Sequence, residues 1–310
     1  MSTAPIAKPQ TFAGAFFQSK NALGLMFMLP AAVFLLCFLT YPLGLGVWLG
    51  FTDTKIGRDG IFIGLENYAF LWDDPVFWTA VFNTVLYTFI ASVLKFVLGL
   101  WLALLLNEKL PCKSFFRAII LLPWVVPTVL SALAFWWIFD AQFSIISWSL
   151  MKMGWIDQPI NFLGDPTNAR ASVIAANVWR GIPFVAISLL AGLQTIPASL
   201  QEAASIDGAT SWQRFRLVTL PMLTPIIAVV MTFSVLFTFT DFQLIYVLTK
   251  GGPVNATHLM ATLSFQRGIP GGQLGEGAAI AVAMIPFLLA AIMFSFFGLQ
   301  RRKWQQGGQD

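Results

Sequence analysis

Ser199-Leu200-Gln201-Glu202-Ala203-Ala204-Ser205-Ile206-Asp207-Gly208-Ala209 stands between two long apolar stretches and runs on through further polar residues to Leu220-Pro221. In a chain that is 57% hydrophobic and 10% charged, it is the longest segment with the composition of a water-exposed helical hairpin. Its apolar flanks are long enough to cross a bilayer. The segment therefore reads as one structured loop of an all-α, polytopic membrane protein.

The hairpin can be read residue by residue. Ser199 and, three positions on, Glu202 form a capping box, in which hydroxyl and carboxylate each satisfy a free amide at a helix start. Gly208 offers the left-handed conformation that ends a helix. Thr210 and Gln213 repeat the capping pattern and open a second helix, with Trp212, Phe215 and Val218 or Thr219 near one face. Pro221 and Pro225 mark its exit into the next apolar run. The expected shape is two short helices joined at a glycine turn, a rigid knob whose small residues Ala203 and Ala204 permit close approach to a groove on a partner. A plain connecting loop accounts for Glu202 by its cap alone. It does not account for Asp207, whose carboxylate opposes the macrodipole at a helix C-terminus and must bond the following amides or meet a partner.

A helix needs about 20 apolar residues to cross a bilayer. Six segments reach that length, over approximately Leu23 to Leu49, Ala80 to Leu106, Ala118 to Phe139, Ser172 to Leu193, Thr224 to Leu248 and Ala278 to Leu299. The first is too long for a signal-peptide core and no small-residue cleavage site follows it. None alternates as barrel strands do, so helices are expected. Basic residues set the orientation. One side holds Lys8 and Lys20, then Lys109, Lys113 and Arg117, then Arg214 and Arg216, and finally Arg301, Arg302 and Lys303. The longer loops of the other side carry Lys55, Arg58, Lys152, Arg170, Lys250 and Arg267. The positive-inside rule then puts both termini and the hairpin in the cytoplasm. The chain divides into an N-terminal segment 1–22, a six-span domain 23–299 that contains the hairpin loop 194–223, and a tail 300–310.

Several chemistries are not supported. No basic stripe suggests nucleic acid. Cys37 lies in the first span and Cys112 in a loop of the hairpin side, so no disulfide is expected between them. His258 and two scattered cysteines make no ligand cluster, and no metal site is expected. No Gly-rich loop ends in Gly-Lys-Ser/Thr, so this chain has no means of holding ATP phosphates.

At the hairpin the chain resembles the integral-membrane permease subunits of binding-protein-dependent ABC importers. Their signature of Glu-Ala-Ala, Gly after three residues and a later Leu-Pro stands here as Glu202-Ala203-Ala204, Gly208 and Leu220-Pro221, with Asp207 and Ala209 also matching. The resemblance extends over the chain and is closest to the maltose-type carbohydrate permeases. It includes Phe62-Ile63-Gly64-Leu65-Glu66-Asn67-Tyr68, Asp74-Pro75-Val76-Phe77-Trp78, Asn83-Thr84, Leu122-Pro123 with Pro127 and Trp136, and Thr249-Lys250-Gly251-Gly252-Pro253. The resemblance implies the type I importer permease fold in a bacterial inner membrane. It implies a second, similar permease, two cytoplasmic ATPases that hold the ATP and Mg, and a periplasmic or lipid-anchored solute-binding protein that docks on the outer loops. The hairpin becomes the coupling helix, with Glu202 and Asp207 as contact or orientation residues, Gly208 as the turn, and Trp212 and Phe215 anchoring the second helix. The cargo class it implies is a sugar, polyol or glycerol-phosphate compound, selected mainly by the binding protein.

Ionisable groups inside spans are functional candidates because they are costly there. Lys95 lies deep in the second span. Asn177 and Arg180 share a face of the fourth, beside Trp179 and Pro183. Asp241, Gln243 and Tyr246 follow in the fifth. As a pathway, Asn177, Trp179, Arg180, Asp241, Gln243 and Tyr246 would bond sugar hydroxyls and cover an apolar sugar face. As structure, Arg180 pairs with Asp241 across helices and Lys95 snorkels or touches the sister subunit. Trp124, Trp136 and Trp137 serve packing or an interfacial belt. In the outer loop, Gly64 and Asn67-Tyr68 set the fold. A self-sufficient secondary carrier or channel is the other transport reading, but it needs no knob and its usual internal repeats are not evident. An intramembrane enzyme would need a paired-aspartate, His-Glu-x-x-His or Ser-His arrangement, and none is present.

Overall fold

The computed structural model describes residues 20–108 and 111–304. Lys8, Lys109 and the tail beyond Trp304, with most of the 1–22 segment, lie outside the described residues. Among the described residues β structure is limited to two isolated bridges, Thr52 with Phe62 and Lys55 with Arg58; the rest of the regular structure is helical.

The first span joins α1 (Lys20–Leu35) to α2 (Tyr41–Leu49) through a wide π turn at Leu36–Thr40. A short α3 (Glu66–Asp73) leads to α4 (Pro75–Asn107), the longest helix. Its start follows from local chemistry: Asp74 accepts a hydrogen bond from the Val76 amide at 2.9 Å, and Pro75 fills the first turn, where no amide is needed. The third apolar run divides into α5 (Lys113–Val125) and α6 (Thr128–Ile138), followed by α7 (Ile145–Lys152). Next comes α8 (Pro166–Gln194), started by Asp165, which accepts from the amides of Thr167 and Asn168 at 3.0 and 2.9 Å. The hairpin contains α9 (Ala198–Ile206) and α10 (Ser211–Arg214). A π turn at Phe215–Thr219 carries α10 into α11 (Leu220–Phe239), and α12 (Gln243–Leu248), α13 (Met260–Gly268) and α14 (Leu274–Trp304) complete the chain.

Helix α8 is central. It packs most extensively on α4 and also meets α5, α6, α11 and α12. Two apolar cores lie along it. One joins Tyr87, Ala91, Val173, Ile174, Val178, Leu244, Ile245 and Leu259; the other, towards the hairpin, joins Ala103, Leu106, Val185, Leu189, Leu193, Leu223 and Ile227. Between them α4, α8 and α11 each contribute polar residues, so the bundle has a polar layer at mid-height. A third core seats α3 and α13 against α4 and α14 through Leu71, Phe77, Val81, Met260, Leu263 and Ile280. The first span is different: none of its most apolar stretch is buried within the chain.

Among the described residues, five helical stretches are long and apolar enough to cross a membrane, and a sixth crossing results if α5 and α6 count as one. Three features of the sequence reading need correction. First, α5 and α6 meet at 91°, so the third span is broken rather than straight. Val126 is extended because it precedes Pro127, and Pro127 is extended in turn, so the chain turns between two apolar helices. Second, the fifth span stops at Phe239 and resumes at Gln243, with Asp241 in the gap accepting a bond from the Leu244 amide at 3.4 Å. Third, Ser199 and Glu202 form no capping box. Helix α9 starts two residues earlier than a Ser199 cap requires, at Ala198 after Pro197, which leaves Ser199 inside the first turn with no cap bond. The prolines fall as read: Pro221 lies in the first turn of α11 and Pro225 within it, so the hairpin's second arm runs on into the fifth span.

Candidate functional site

The hairpin turns at Gly208, whose φ is +79°. The Ala209 amide reaches back to the Ala204 carbonyl at 3.0 Å and the Gly208 amide to Ser205 at 3.1 Å, closing the end of α9 on itself. The second capping pattern forms as read: the Thr210 amide donates to Gln213 Oε1 at 2.7 Å, and the Gln213 amide to Thr210 Oγ1 at 3.3 Å. Two bonds lock the arms together. Arg214 Nη1 donates to Ser205 Oγ at 3.1 Å, and Gln201 Nε2 to Thr219 Oγ1 at 2.9 Å. The Trp212 and Phe215 rings pack 5.5 Å apart.

The outward surface of this turn is chemically open. Glu202, Ala203 and Asp207 are exposed, and among the described residues neither carboxylate has a hydrogen bond or ion pair. Asp207 does not bond the following amides, so the second of the two roles left to it, meeting a partner, is the one the geometry leaves open. Ile206 and Trp212 expose 86% and 67% of their surface beside these carboxylates. Two large apolar side chains thus stand exposed among two acids that have no partner among the described residues.

The mid-bundle layer brings together part of the sequence-predicted set. Asp241 Oδ2 accepts from Asn177 Nδ2 at 2.8 Å and from the Tyr87 hydroxyl at 2.8 Å. Lys95 is buried and donates to the Thr238 hydroxyl, one turn from Asp241. It neither snorkels nor waits at a surface. Arg180 makes no ion pair with Asp241; its Nε is buried without a partner among the described residues. Trp179 is 42% exposed and meets Phe135 edge-on at 5.3 Å. Gln243 and Tyr246 stand apart from the cluster. Gln243 is exposed, and Tyr246 packs on Phe242 and Phe265 at 5.1 Å from each.

Tyr87, Thr88, Ser92 and Ser131 were missed by the sequence reading. The hydroxyls of Thr88, Ser92 and Ser131, with Asn177 Oδ1 and Arg180 Nε, are buried with no partner among the described residues. A signal for them exists: Thr84, Thr88, Ser92 and Lys95 recur every three or four residues, a polar stripe along an apolar helix. A stripe of this kind in a span faces protein or a polar path rather than lipid.

The loop end is pinned by polar side chains. Asn83 Nδ2 donates to the His258 carbonyl at 3.1 Å, and Arg170 Nε donates to Asn83 Oδ1 and to the Ala256 carbonyl, each at 3.0 Å. Asn67 Nδ2 bonds the carbonyls of Gly50 and Thr52 at 3.0 and 2.8 Å, in keeping with a fold-setting role. Arg267 pairs with both Asp74 and Glu276. Burial, and then the nearby Arg267 charge, hold the His258 pKa below its ordinary value.

Residues 95–306 match the family described as the binding-protein-dependent transport system inner membrane component. The trehalose/maltose transport system permease protein MalF of Thermococcus litoralis is 36% identical over 282 residues, covering 90% of this chain and 95% of that protein. The sulfoquinovosyl glycerol transport system permease protein SmoG of Agrobacterium fabrum is 36% identical over 264 residues, covering 84% and 85%. Among solved structures, a chain of a bacterial ABC transporter involved in the import of the acidic polysaccharide alginate superposes with a TM-score of 0.78 at 24% identity, over 91% of this chain and 96% of that one. A chain of the MetNI methionine ABC transporter in an inward-facing conformation gives 0.54 at 20% identity, over 74% and 98%. Fold, hairpin and sequence agree: the chain belongs to the inner membrane components of binding-protein-dependent transport systems.

Proposed function

We propose that this permease forms half of a pathway for a small hydroxyl-rich solute, a sugar, polyol or related glycoside, together with a second, homologous permease. An external binding protein delivers the solute to the loop end, and two cytoplasmic ATPases, which hold the ATP and Mg, drive the cycle through the hairpin. The hairpin side and both termini face the cytoplasm in this reading, and ATP hydrolysis belongs to the partner subunits. The carrying observation is the polar layer of α4, α8 and α11. Unpartnered polar atoms are costly inside a membrane unless water or a solute meets them, and Ser92, Asn177 and Arg180 present such atoms beside the Lys95–Thr238 and Tyr87–Asp241 bonds. The trehalose, maltose and sulfoquinovosyl glycerol relatives support the cargo class.

At the other end, Glu202, Asp207, Ile206 and Trp212 offer the ATPases a mixed acidic and apolar contact on a rigid turn, with Ala203, Ala204 and Ala209 allowing close approach. Because α11 runs from the hairpin directly to the polar layer, a displacement at the ATPase contact moves Thr238 and Asp241 without an intervening flexible loop.

The test is solute uptake by vesicles holding the reconstituted complex. Uptake that requires ATP, the ATPase subunits and the binding protein supports the reading. Uptake driven by an ion gradient alone overturns it.

A further inference from the structure

We infer that Arg180 and Lys95 form an anion subsite in the polar layer, which takes a carboxylate, sulfonate or phosphate on the transported solute. The inference rests on the proposed pathway role of this layer and narrows the cargo to an acidic glycoside or polyol ester.

The first observation is charge. The charged side chains of the layer are Lys95, Arg180 and Asp241, two cations against one carboxylate. Asp241 does not neutralise either cation directly. Its Oδ2 is occupied by the Tyr87 hydroxyl and the Asn177 amide, and its Oδ1 receives the Leu244 backbone amide. All three donors are neutral.

The second observation is geometry. The Lys95 stem lies against the backbone of Gly181, the neighbour of Arg180. A Cβ at Gly181 would stand 2.3 Å from Lys95 Cδ and 3.3 Å from Nζ, so any larger residue there would push the lysine stem aside. Thr238 holds Nζ from the other side. The two cations thus stand on adjoining stretches of α4 and α8, Lys95 packing at the residue next to Arg180. Like charges drawn together away from water repel strongly, and an anion between them reverses the sign of the interaction.

The third observation is the guanidinium itself. Arg180 makes no hydrogen bond or ion pair among the described residues, and its Nε is buried. A planar fork of unengaged N–H groups matches a carboxylate, sulfonate or phosphate in bidentate fashion. One helical turn back, Asn177 Oδ1 is an unpartnered acceptor for a solute hydroxyl. The partly exposed Trp179 ring lies between them in the chain.

The same anionic chemistry can come from a second source, a carboxylate of the companion permease, and the test separates the two. The purified importer, both permeases with their ATPases, is titrated without ATP or binding protein using radiolabelled methyl glucuronide and methyl glucoside, two probes that differ at the carboxylate. The expected result is binding of the glucuronide at least about tenfold tighter than the glucoside, the size expected for hydrogen bonds to a charged group. Arg180→Gln abolishes the difference, Arg180→Lys keeps part of it, and Lys95→Gln reduces it. Equal binding of the two probes by the unaltered complex, including no detectable binding of either, overturns the inference, as does a preference that survives Arg180→Gln. Loss of the companion permease from the Arg180→Gln complex assigns the guanidinium to a subunit contact and also overturns it. Because no ATP is used, failure here is distinct from failure of the importer reading, which ATP-dependent uptake decides.

Discussion

Gln201 Nε2 donates to the Thr219 hydroxyl at 2.9 Å, bonding the short hairpin helix to the buried foot of the fifth span. Thr219 sits at the end of the π turn and is nearly fully buried, while the rest of the hairpin is largely exposed. The bond is thus the point where the water-exposed arm grips the membrane bundle.

Thr219→Val keeps the shape and removes the hydroxyl. The expected loss is about 1 kcal/mol of tethering, too little to unfold the bundle. Uptake per ATP hydrolysed should fall while ATPase activity of the complex persists. Gln201→Leu should have the same effect, and the double substitution little more, because both remove one interaction. The ratio of solute imported to phosphate released in reconstituted vesicles checks this.

Gly208 is constrained by backbone alone. A Cβ there meets nothing within 4 Å, but the φ of +79° is disfavoured for L side chains. Gly208→Val should cost roughly 1–2 kcal/mol locally and abolish uptake at normal membrane expression, whereas Gly208→Asn should retain most activity because asparagine tolerates this conformation. Normal uptake by the Val variant would show that the turn geometry does not matter for coupling.

Asp241 terminates two buried donors, the Tyr87 hydroxyl and the Asn177 amide. Asp241→Ala should leave both unsatisfied, at roughly 1–3 kcal/mol each, and lower the thermal midpoint of the purified complex by several degrees. Tyr87→Phe removes donor and bond together and should be milder. A midpoint unchanged by Asp241→Ala would sink the assignment of Asp241 as the keystone of the break between α11 and α12.

The loop end should be acid-sensitive through His258. Its folded pKa is depressed by burial and by Arg267, so the unfolded chain takes up the proton first as pH falls. The stability it contributes is complete above the ordinary imidazole value of 6.5 and declines as pH drops below it towards the folded pKa. Thermal midpoints between about pH 8 and pH 5 should show a decline that is shallower in His258→Gln. Its ring also bonds Thr262 Oγ1 at 3.1 Å, and glutamine can keep that contact without titrating.

The spans were legible because their length and polarity are set by the bilayer, which acts on composition. The broken third span was not, since Val126-Pro127 sits inside an unbroken apolar run and only the proline hints at a turn. At the hairpin, Thr210 and Gln213 capped as read because the chain before them is a free turn. Ser199 and Glu202 did not, because the helix begins at Ala198 and Ser199 falls inside its first turn. In the polar layer Asn177 and Asp241 could be picked out as costly residues, but their bond joins residues 64 apart on different helices and no local pattern encodes it. Tyr87 could have been found: it is one of four tyrosines in the chain and stands in the middle of an apolar helix.

The π turn at Phe215–Thr219 separates two surfaces along one rod. Each residue of an α-helix advances the azimuth by about 100°, so the extra residue held in the wide turn offsets the proposed docking face below it from the proposed pathway face above. The two faces can therefore be set to different compass bearings while force still travels along a single continuous axis. Removing one residue from this segment would keep every side chain of both faces and aim one of them the wrong way.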